Sequence, residues 1–155
     1  MKNGIFILVV MLLLVNVIVP TFAEENGTIL GTFGVGYTGF IDINLTAISF
    51  DIDLISNKGL AVSFGYMTNF NIDYGIFNIG YIGLGYRYLA NYLDFGISII
   101  VIPLEYWDCL AGIKLNSGLW FTDNVGLSLA VMAGYGVTTG MVAFSIRPGI
   151  SVKIK

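Results

Sequence analysis

Apolar and polar residues alternate with a period of two along most of the chain after about residue 28. Val125 and Leu127, for example, alternate with Gly126 and Ser128. This period is typical of β-strands, whose successive side chains point to opposite faces. Clusters of turn residues such as Ser56-Asn57-Lys58-Gly59 separate the alternating segments. The pattern therefore predicts an all-β protein.

The number and length of the alternating segments favour a barrel that crosses a membrane. Tilted strands of about 9–11 residues span a bilayer, and bacterial barrels have an even number of strands. The connections after the second, fourth and sixth segments are shorter than those after the third, fifth and seventh, as in outer-membrane barrels. We predict an eight-stranded antiparallel up-and-down transmembrane β-barrel with strands at 28–37, 41–55, 60–67, 76–88, 92–102, 109–121, 125–135 and 141–155.

Two predicted strands contain a change of phase. In the second strand the apolar set moves by one position between Ala47 and Ile48, and in the fourth a similar change occurs near Tyr81 and Ile82. A one-residue slip would move every later side chain to the other face, and a β-bulge absorbs such a slip. We therefore expect a bulge at 47–48. With it, one face of the second strand would carry Asp42, Asn44, Thr46, Ser49, Asp51 and Asp53.

The first 23 residues have the organisation of a secretory signal. Lys2 precedes an apolar run at residues 5–19, and Pro20 and Ala23 provide a break and a small-residue exit. We expect cleavage after Ala23, which divides the chain into a signal peptide at 1–23 and an outer-membrane barrel at 24–155. The alternative is an uncleaved anchor helix, for which the run is of borderline length.

Composition agrees with a membrane protein. Hydrophobic residues make up 56% of the chain and charged residues 11%, whereas soluble domains carry about 25% charged residues. The sequence contains no basic patch, so nucleic acid is not an expected partner.

A helical membrane protein is an alternative because residues 124–146 carry no charge. That segment, however, alternates and contains four glycines, which does not suit a helical span.

If the apolar face meets lipid, the opposite face lines the barrel. Eight strands leave an interior just wide enough to be filled by side chains, and buried charges there require partners. We predict that the lumenal charges pair with one another and plug the barrel; a solute path lined by charge is the alternative. The predicted network contains Asp42, Asp51, Asp53, Arg87, Asp94, Lys114, Arg147 and Lys153.

Aromatic residues fall near the ends of the predicted strands. Transmembrane barrels carry aromatic girdles at both membrane interfaces. We predict one group near the short turns and another near the longer loops. The first group is Tyr88, Tyr92 and Phe121, and the second is Tyr66, Tyr106, Trp107 and Tyr135.

Few sequence motifs in this chain indicate catalysis or the binding of a cofactor or metal. Residues 34–39 match the G-x-G-x-x-G pattern, but an alternating strand follows instead of the helix that dinucleotide binding requires. The chain has no histidine, which excludes Ser–His nucleophile pairs and most zinc sites. Its single cysteine, Cys109, cannot form an internal disulfide. We therefore predict no catalytic residue, no cofactor-binding residue and no metal ligand, and expect the protein not to be an enzyme.

The chain resembles the small eight-stranded outer-membrane barrels of the OmpX, Ail and OmpA-barrel type. The resemblance is carried by Gly83-Leu84-Gly85-Tyr86-Arg87-Tyr88, by the alternation over 127–135 and by Arg147-Pro148-Gly149-Ile150-Ser151-Val152. It implies a non-enzymatic protein of the cell outer membrane with a structural or surface-interaction role. The implied partners are the lipid bilayer and the barrel-assembly machinery, and we expect a monomer. A narrow solute channel and a soluble lipocalin-like barrel that binds lipid remain as alternatives.

Overall fold

A computed structural model describes residues 27–40, 43–69, 78–103, 109–136 and 140–154, with the backbone alone at 40 and 43–45. In these ranges, no helix has the length and hydropathy needed to cross a membrane. Eight strands account for nearly all of the described chain. They are β1 (Thr28–Phe40), β2 (Ile43–Ile55), β3 (Leu60–Asn69), β4 (Asn78–Leu89), β5 (Leu93–Pro103), β6 (Cys109–Trp120), β7 (Val125–Gly136) and β8 (Val142–Ile154).

The strands form one closed antiparallel barrel. Each strand pairs with the next along the chain, and β8 pairs with β1. Residues that pair directly can be followed around the barrel from Thr28, and the path returns to β1 at Thr38, ten residues further along. Such a shear requires the strands to tilt relative to the barrel axis. The predicted fold class, an eight-stranded antiparallel barrel, is confirmed.

Apolar side chains cover the outside of the barrel. In β7, Leu127 and Leu129 are exposed, whereas Gly126 and Ala130 are buried toward the lumen. The same alternation continues around the barrel, so that large apolar residues of all eight strands are exposed. Examples are Phe33, Phe50, Tyr66, Leu84, Ile99, Ile113, Leu129 and Ile150.

The expected bulge in β2 is wrong. The strand pairs residue for residue with β1 over its whole length and with β3 from Ala47 onward. Thr46 is exposed and Ala47 is buried, so Thr46 lies on the outer face, opposite to Asp51 and Asp53. The prediction for Asp42 and for the side chain of Asn44 lies outside the described residues.

The expected change of phase in β4 is also wrong. The register with β3 and β5 continues without a slip, and Ile79, Tyr81 and Arg87 all point into the lumen. Both errors have one physical cause. The lining of the lumen is charged in its middle and apolar toward the longer loops, so inward positions become apolar along these strands while the strand geometry stays regular.

The turn between β2 and β3 forms as its sequence predicts. The Gly59 amide donates to the Ser56 carbonyl at 3.0 Å, and the Ser56 hydroxyl accepts from the Leu60 amide at 3.0 Å. Gly59 has a φ of 87°, a conformation that glycine adopts without steric cost. This turn places β3 beside β2, with Ser63 directly opposite Asp53.

Candidate functional site

The lumen is filled by three layers of side chains. An apolar layer of Leu30, Ile55, Ala61 and Trp120 closes the end at the short turns. A second apolar layer, toward the longer loops, contains Met67, Ile79, Tyr81, Ile100, Ile102, Leu110, Met132 and Ala143. Between them lies a charged layer, which is the candidate functional site. The charged residues of that layer are Asp51, Asp53, Arg87, Asp94, Lys114 and Arg147.

The charged layer is electrically balanced. β2 supplies Asp51 and Asp53 and β5 supplies Asp94, while the three cations come from β4, β6 and β8. All six residues are buried. An isolated charge in such a position would be very costly, whereas equal numbers of opposite charges in contact can neutralise one another.

Arg87 pairs with two carboxylates, one from β2 and one from β5. Its Nη2 lies 2.9 Å from Asp94 Oδ1, and its Nε donates to the same oxygen at 3.2 Å. Its Nη1 is bonded to Asp53 Oδ2. The planar guanidinium therefore donates to two carboxylates through a rigid fork of N–H groups, whereas a lysine ammonium is a compact point charge.

Lys114 and Arg147 complete the layer. Lys114 Nζ lies 3.5 Å from Asp53 Oδ1 and 3.6 Å from Asp51 Oδ2, and so stands between the two carboxylates of β2. Arg147 Nη1 lies 3.3 Å from Asp51 Oδ1. The five ion pairs form one continuous network that connects β2, β4, β5, β6 and β8.

Tyr81 belongs to the second apolar layer, but its hydroxyl reaches into the charged layer, and the sequence analysis did not predict this position. Its hydroxyl donates to Asp51 Oδ1 at 2.6 Å and accepts from Arg147 Nη2 at 3.3 Å. The ring centre lies 5.2 Å from Lys114 Nζ and 5.6 Å from Arg147 Cζ, within the range of cation–π interactions. Tyr81 is separated from Gly83, Gly85 and Arg87 by even numbers of residues, so all four lie on the same face of a regular strand. A prediction that kept β4 regular would have placed Tyr81 in the lumen.

A glycine makes room for the Tyr81 ring. Gly65 of β3 is paired directly with Tyr81, and a Cβ at Gly65 would overlap the ring and approach the Asp51 carboxylate. The absence of a side chain at 65 leaves the space that the Tyr81 ring occupies. Gly65 therefore determines the position of the Tyr81 hydroxyl, and through it the position of Asp51.

The other predicted network members are placed differently. Lys153 is partly exposed near the short turns, and its Nζ lies 4.0 Å from the centre of the Trp120 ring. Within the part of the chain that the structure describes, no ion pair connects Lys153 to the charged layer. Asp42 lies outside the described residues. Six of the eight predicted charges are thus brought together, and Lys153 packs on the apolar layer beneath them.

The predicted interface aromatics are exposed at the two ends of the barrel wherever they are described. Tyr88, Tyr92 and Phe121 lie near the short turns, and Tyr66 and Tyr135 lie at the opposite end. The Tyr66 hydroxyl donates to Asn78 Oδ1 at 2.6 Å. Tyr106 and Trp107 lie outside the described residues. Contact of these rings with a membrane interface stays a prediction.

The glycine-rich motif at residues 34–39 lies inside β1, where Gly34 is paired with Ser49 on one side and Gly149 on the other. It therefore does not open a helix, and the structure does not offer the helix N-terminus on which dinucleotide binding depends. Among the described residues, no group of three or more His, Cys, Asp or Glu could hold a metal ion.

A closed eight-stranded barrel with an apolar exterior and a lumen filled by paired charges is the architecture of the small transmembrane β-barrels. Comparison with solved structures shows this fold. The N-terminal β-barrel domain of OprF from Pseudomonas aeruginosa matches with a TM-score of 0.57 and 11% identity, covering 84% of this chain and 98% of that domain.

Two further structures share the fold. A de novo designed transmembrane β-barrel matches with a TM-score of 0.60 and 19% identity, covering 83% of this chain and 96% of the designed one. The attachment invasion locus protein Ail of Yersinia pestis, solved with the heparin analogue sucrose octasulfate, matches with a TM-score of 0.54 and 8% identity, covering 83% of this chain and 99% of Ail. No protein-family model matches the chain, and no curated protein matches it in sequence.

Proposed function

We propose that the chain is an integral outer-membrane protein with a structural or surface-interaction role and no catalytic activity. One observation carries the proposal: the large side chains exposed along the strands are apolar, while the six charges of the charged layer are enclosed. Ile99 is 69% exposed, whereas Asp94 and Lys114 are 0% exposed. In water this distribution would be unfavourable over the whole outer surface, and in a bilayer it is favourable.

The alternative of a soluble lipocalin-like barrel is disfavoured by the same observation. That fold would place Arg87 and the other charges in water and keep the large apolar residues inside. Arg87 is instead buried against Asp53 and Asp94, and rows of apolar residues are exposed on every strand.

The filled lumen favours a structural role over transport. Three layers of packed side chains occupy the lumen, and the charged groups in the middle layer are engaged with one another. We expect purified protein in planar bilayers to give no stepwise conductance, because an ion would have to displace the paired charges. A steady ionic conductance with reproducible unit steps would instead support the channel alternative.

The proposed partners follow from the proposed location. The outer face would contact acyl chains, and the barrel-assembly machinery would insert the chain after export. We propose a monomer, since the barrel is closed and leaves no strand edge unpaired. No nucleic-acid partner is proposed.

Spin labels at adjacent positions of β7 provide the direct test of the proposal. Leu129 is exposed on the outer face, and Ser128 points into the lumen. In lipid vesicles, a label at 129 should be accessible to oxygen, which is soluble in hydrocarbon, and one at 128 should be shielded. The opposite result, with 128 reporting hydrocarbon, would overturn the proposal.

A charged substitution provides a second test. Replacing Ile99 with arginine near the middle of β5 should lower the free energy of unfolding in lipid vesicles by about 2–4 kcal/mol, because the guanidinium would face hydrocarbon. Tyr92→Arg, at the end near the short turns, is the matched control and should cost about 0–1 kcal/mol. Unfolding in urea, followed by heat-modifiable gel mobility, measures both. Equal costs at the two positions would contradict a membrane-embedded β5.

A further inference from the structure

The contact between β1 and β8, which we call the closing seam, is interrupted near its middle. Gly34 pairs with Gly149 and Tyr37 pairs with Ile146, but the two positions between them on each strand are not paired across the seam. The same positions pair in unbroken register with β2 and β7 on their other sides. Each of the other described strand pairs runs from its first to its last pair of residues without a gap.

A proline accounts for the interruption. Pro148 lies inside β8, and proline has no amide hydrogen. A Cβ added at Gly34 would lie 3.1 Å from the Pro148 carbonyl oxygen, so this oxygen and the nitrogen of the same residue point toward β1. Val35, the residue of β1 opposite the proline, therefore receives no hydrogen bond from it. Proline within sheets is confined to edges, strand ends and bulges, so the closing seam behaves locally as a sheet edge.

Glycines lie at the same stretch of β1. Between Thr32 and Thr38, the inward positions of this strand are Gly34 and Gly36, so β1 places no side chain in the lumen there. A Cβ at Gly36 would overlap the backbone of β8, which shows that the two backbones approach closely at this point. Glycine inside a strand offers no side chain to pack and weakens the strand. The interruption therefore lacks both a ladder hydrogen bond and inward packing from β1.

Hydroxyl pairs hold the closing seam on both sides of the interruption. Thr32 Oγ1 lies 2.7 Å from Ser151 Oγ, and Thr38 Oγ1 lies 3.1 Å from Ser145 Oγ. All four residues are buried. Because each pair joins β1 to β8, a separation of the two strands at the interruption is confined to the stretch between the pairs.

From these observations we propose that the barrel has a built-in lateral opening point, at which residues 33–37 and 146–150 separate while the rest of the wall stays paired. Local openings break fewer contacts than global unfolding and therefore cost less free energy. The opening would uncover the side of the lumen where Arg147 is paired with Asp51. The proposal does not depend on the outer-membrane role, because it concerns only the pairing of strands within the wall.

Amide hydrogen exchange tests the opening point. The full chain, labelled with ¹⁵N and refolded in detergent micelles, is transferred to D₂O and followed by NMR. The amides of Val35 and Ile146 face the closing seam, whereas those of Leu115 and Val131 face each other in the uninterrupted pairing of β6 with β7. We expect the two seam amides to exchange at least about tenfold faster than the other two. Equal rates would mean that the wall opens only as a whole, and would overturn the proposal.

Restoring the missing donor provides the matched comparison. Pro148→Val supplies an N–H opposite Val35, and the new side chain lies on the outer face, where Pro148 is exposed. One added hydrogen bond should slow exchange at the closing seam about 2- to 10-fold and leave Leu115 unchanged. Ile150→Val, also on the outer face of β8, adds no donor and should change neither rate. Pro148→Ala supplies the same N–H if the valine variant does not fold. Seam rates that stay at the original value in a folded Pro148 variant would rule out the opening point.

Discussion

Replacing Arg87 with methionine is expected to lower the free energy of unfolding by about 3–5 kcal/mol, the range found when one member of a buried ion pair is removed. The guanidinium contacts Asp53 and Asp94, both of which are buried. Removing it leaves three carboxylates facing two cations, and Asp94 loses the only ion pair that the structure gives it. Urea unfolding of the refolded protein in lipid vesicles, followed by heat-modifiable gel mobility, measures the loss.

Two further variants separate charge balance from side-chain loss. Lys58→Met removes a cation from an exposed turn and should change stability by less than about 0.5 kcal/mol. Arg87→Met combined with Asp94→Asn restores equal numbers of opposite charges and should recover part of the lost stability. If Arg87→Met costs no more than Lys58→Met, the charged layer does not stabilise the barrel.

Replacing Tyr81 with alanine is expected to cost about 3–5 kcal/mol, as for other buried aromatic residues. The variant loses the ring that covers Gly65 and the hydroxyl that bridges Asp51 and Arg147. Tyr81→Phe keeps the ring and should cost about 1–3 kcal/mol, because the buried Asp51 carboxylate loses a donor. The same unfolding assay measures both.

Tyr88→Ala is the control for the Tyr81 variant, because Tyr88 lies on the same strand and is exposed on the outer face. It should cost clearly less, since its ring does not contact the lumen. A cost at 88 as large as that at 81 would contradict the lumenal position assigned to Tyr81.

The fold was predictable because its main signal is local. Alternation with a period of two appears within each strand, and turn residues such as Asn57 and Gly59 mark where strands end. Closure also follows, since an open sheet would leave unpaired edges that a membrane does not tolerate. Local alternation also predicts that the charges at 51, 53, 87, 94, 114 and 147 face the lumen, because apolar residues occupy the neighbouring outward positions of each strand.

The two wrong predictions, the changes of phase in β2 and β4, lie where the lining of the lumen becomes apolar. Ala47, Ile79 and Tyr81 are apolar or aromatic residues at inward positions, and an apolar residue was assumed to mark the outer face. That assumption holds only where the lumen is polar. Because the lumen of this barrel becomes apolar toward the longer loops, both faces of β2 and β4 carry apolar residues there, and a single sequence offers no local signal for the change.

The partners within the charged layer were not predictable, because pairing depends on the register and shear of the closed barrel. Asp51 and Arg147 are 96 residues apart and meet only because β8 closes against β1. The aromatic–glycine pair of Tyr81 and Gly65 likewise depends on the register of β3 and β4. Such contacts follow from the assembled geometry and not from any motif.

The distribution of ion pairs over the strands bears on how the barrel folds. Asp51 and Asp53 lie on β2, but their cations lie on β4, β6 and β8, so the charges balance only when all of these strands, including the last, are in place. An intermediate that lacks β8 would hold an excess of negative charge in a non-aqueous interior. Unbalanced charge raises the free energy of partly folded barrels. This favours an all-or-none folding transition, in which the barrel closes and its charges are balanced in the same step.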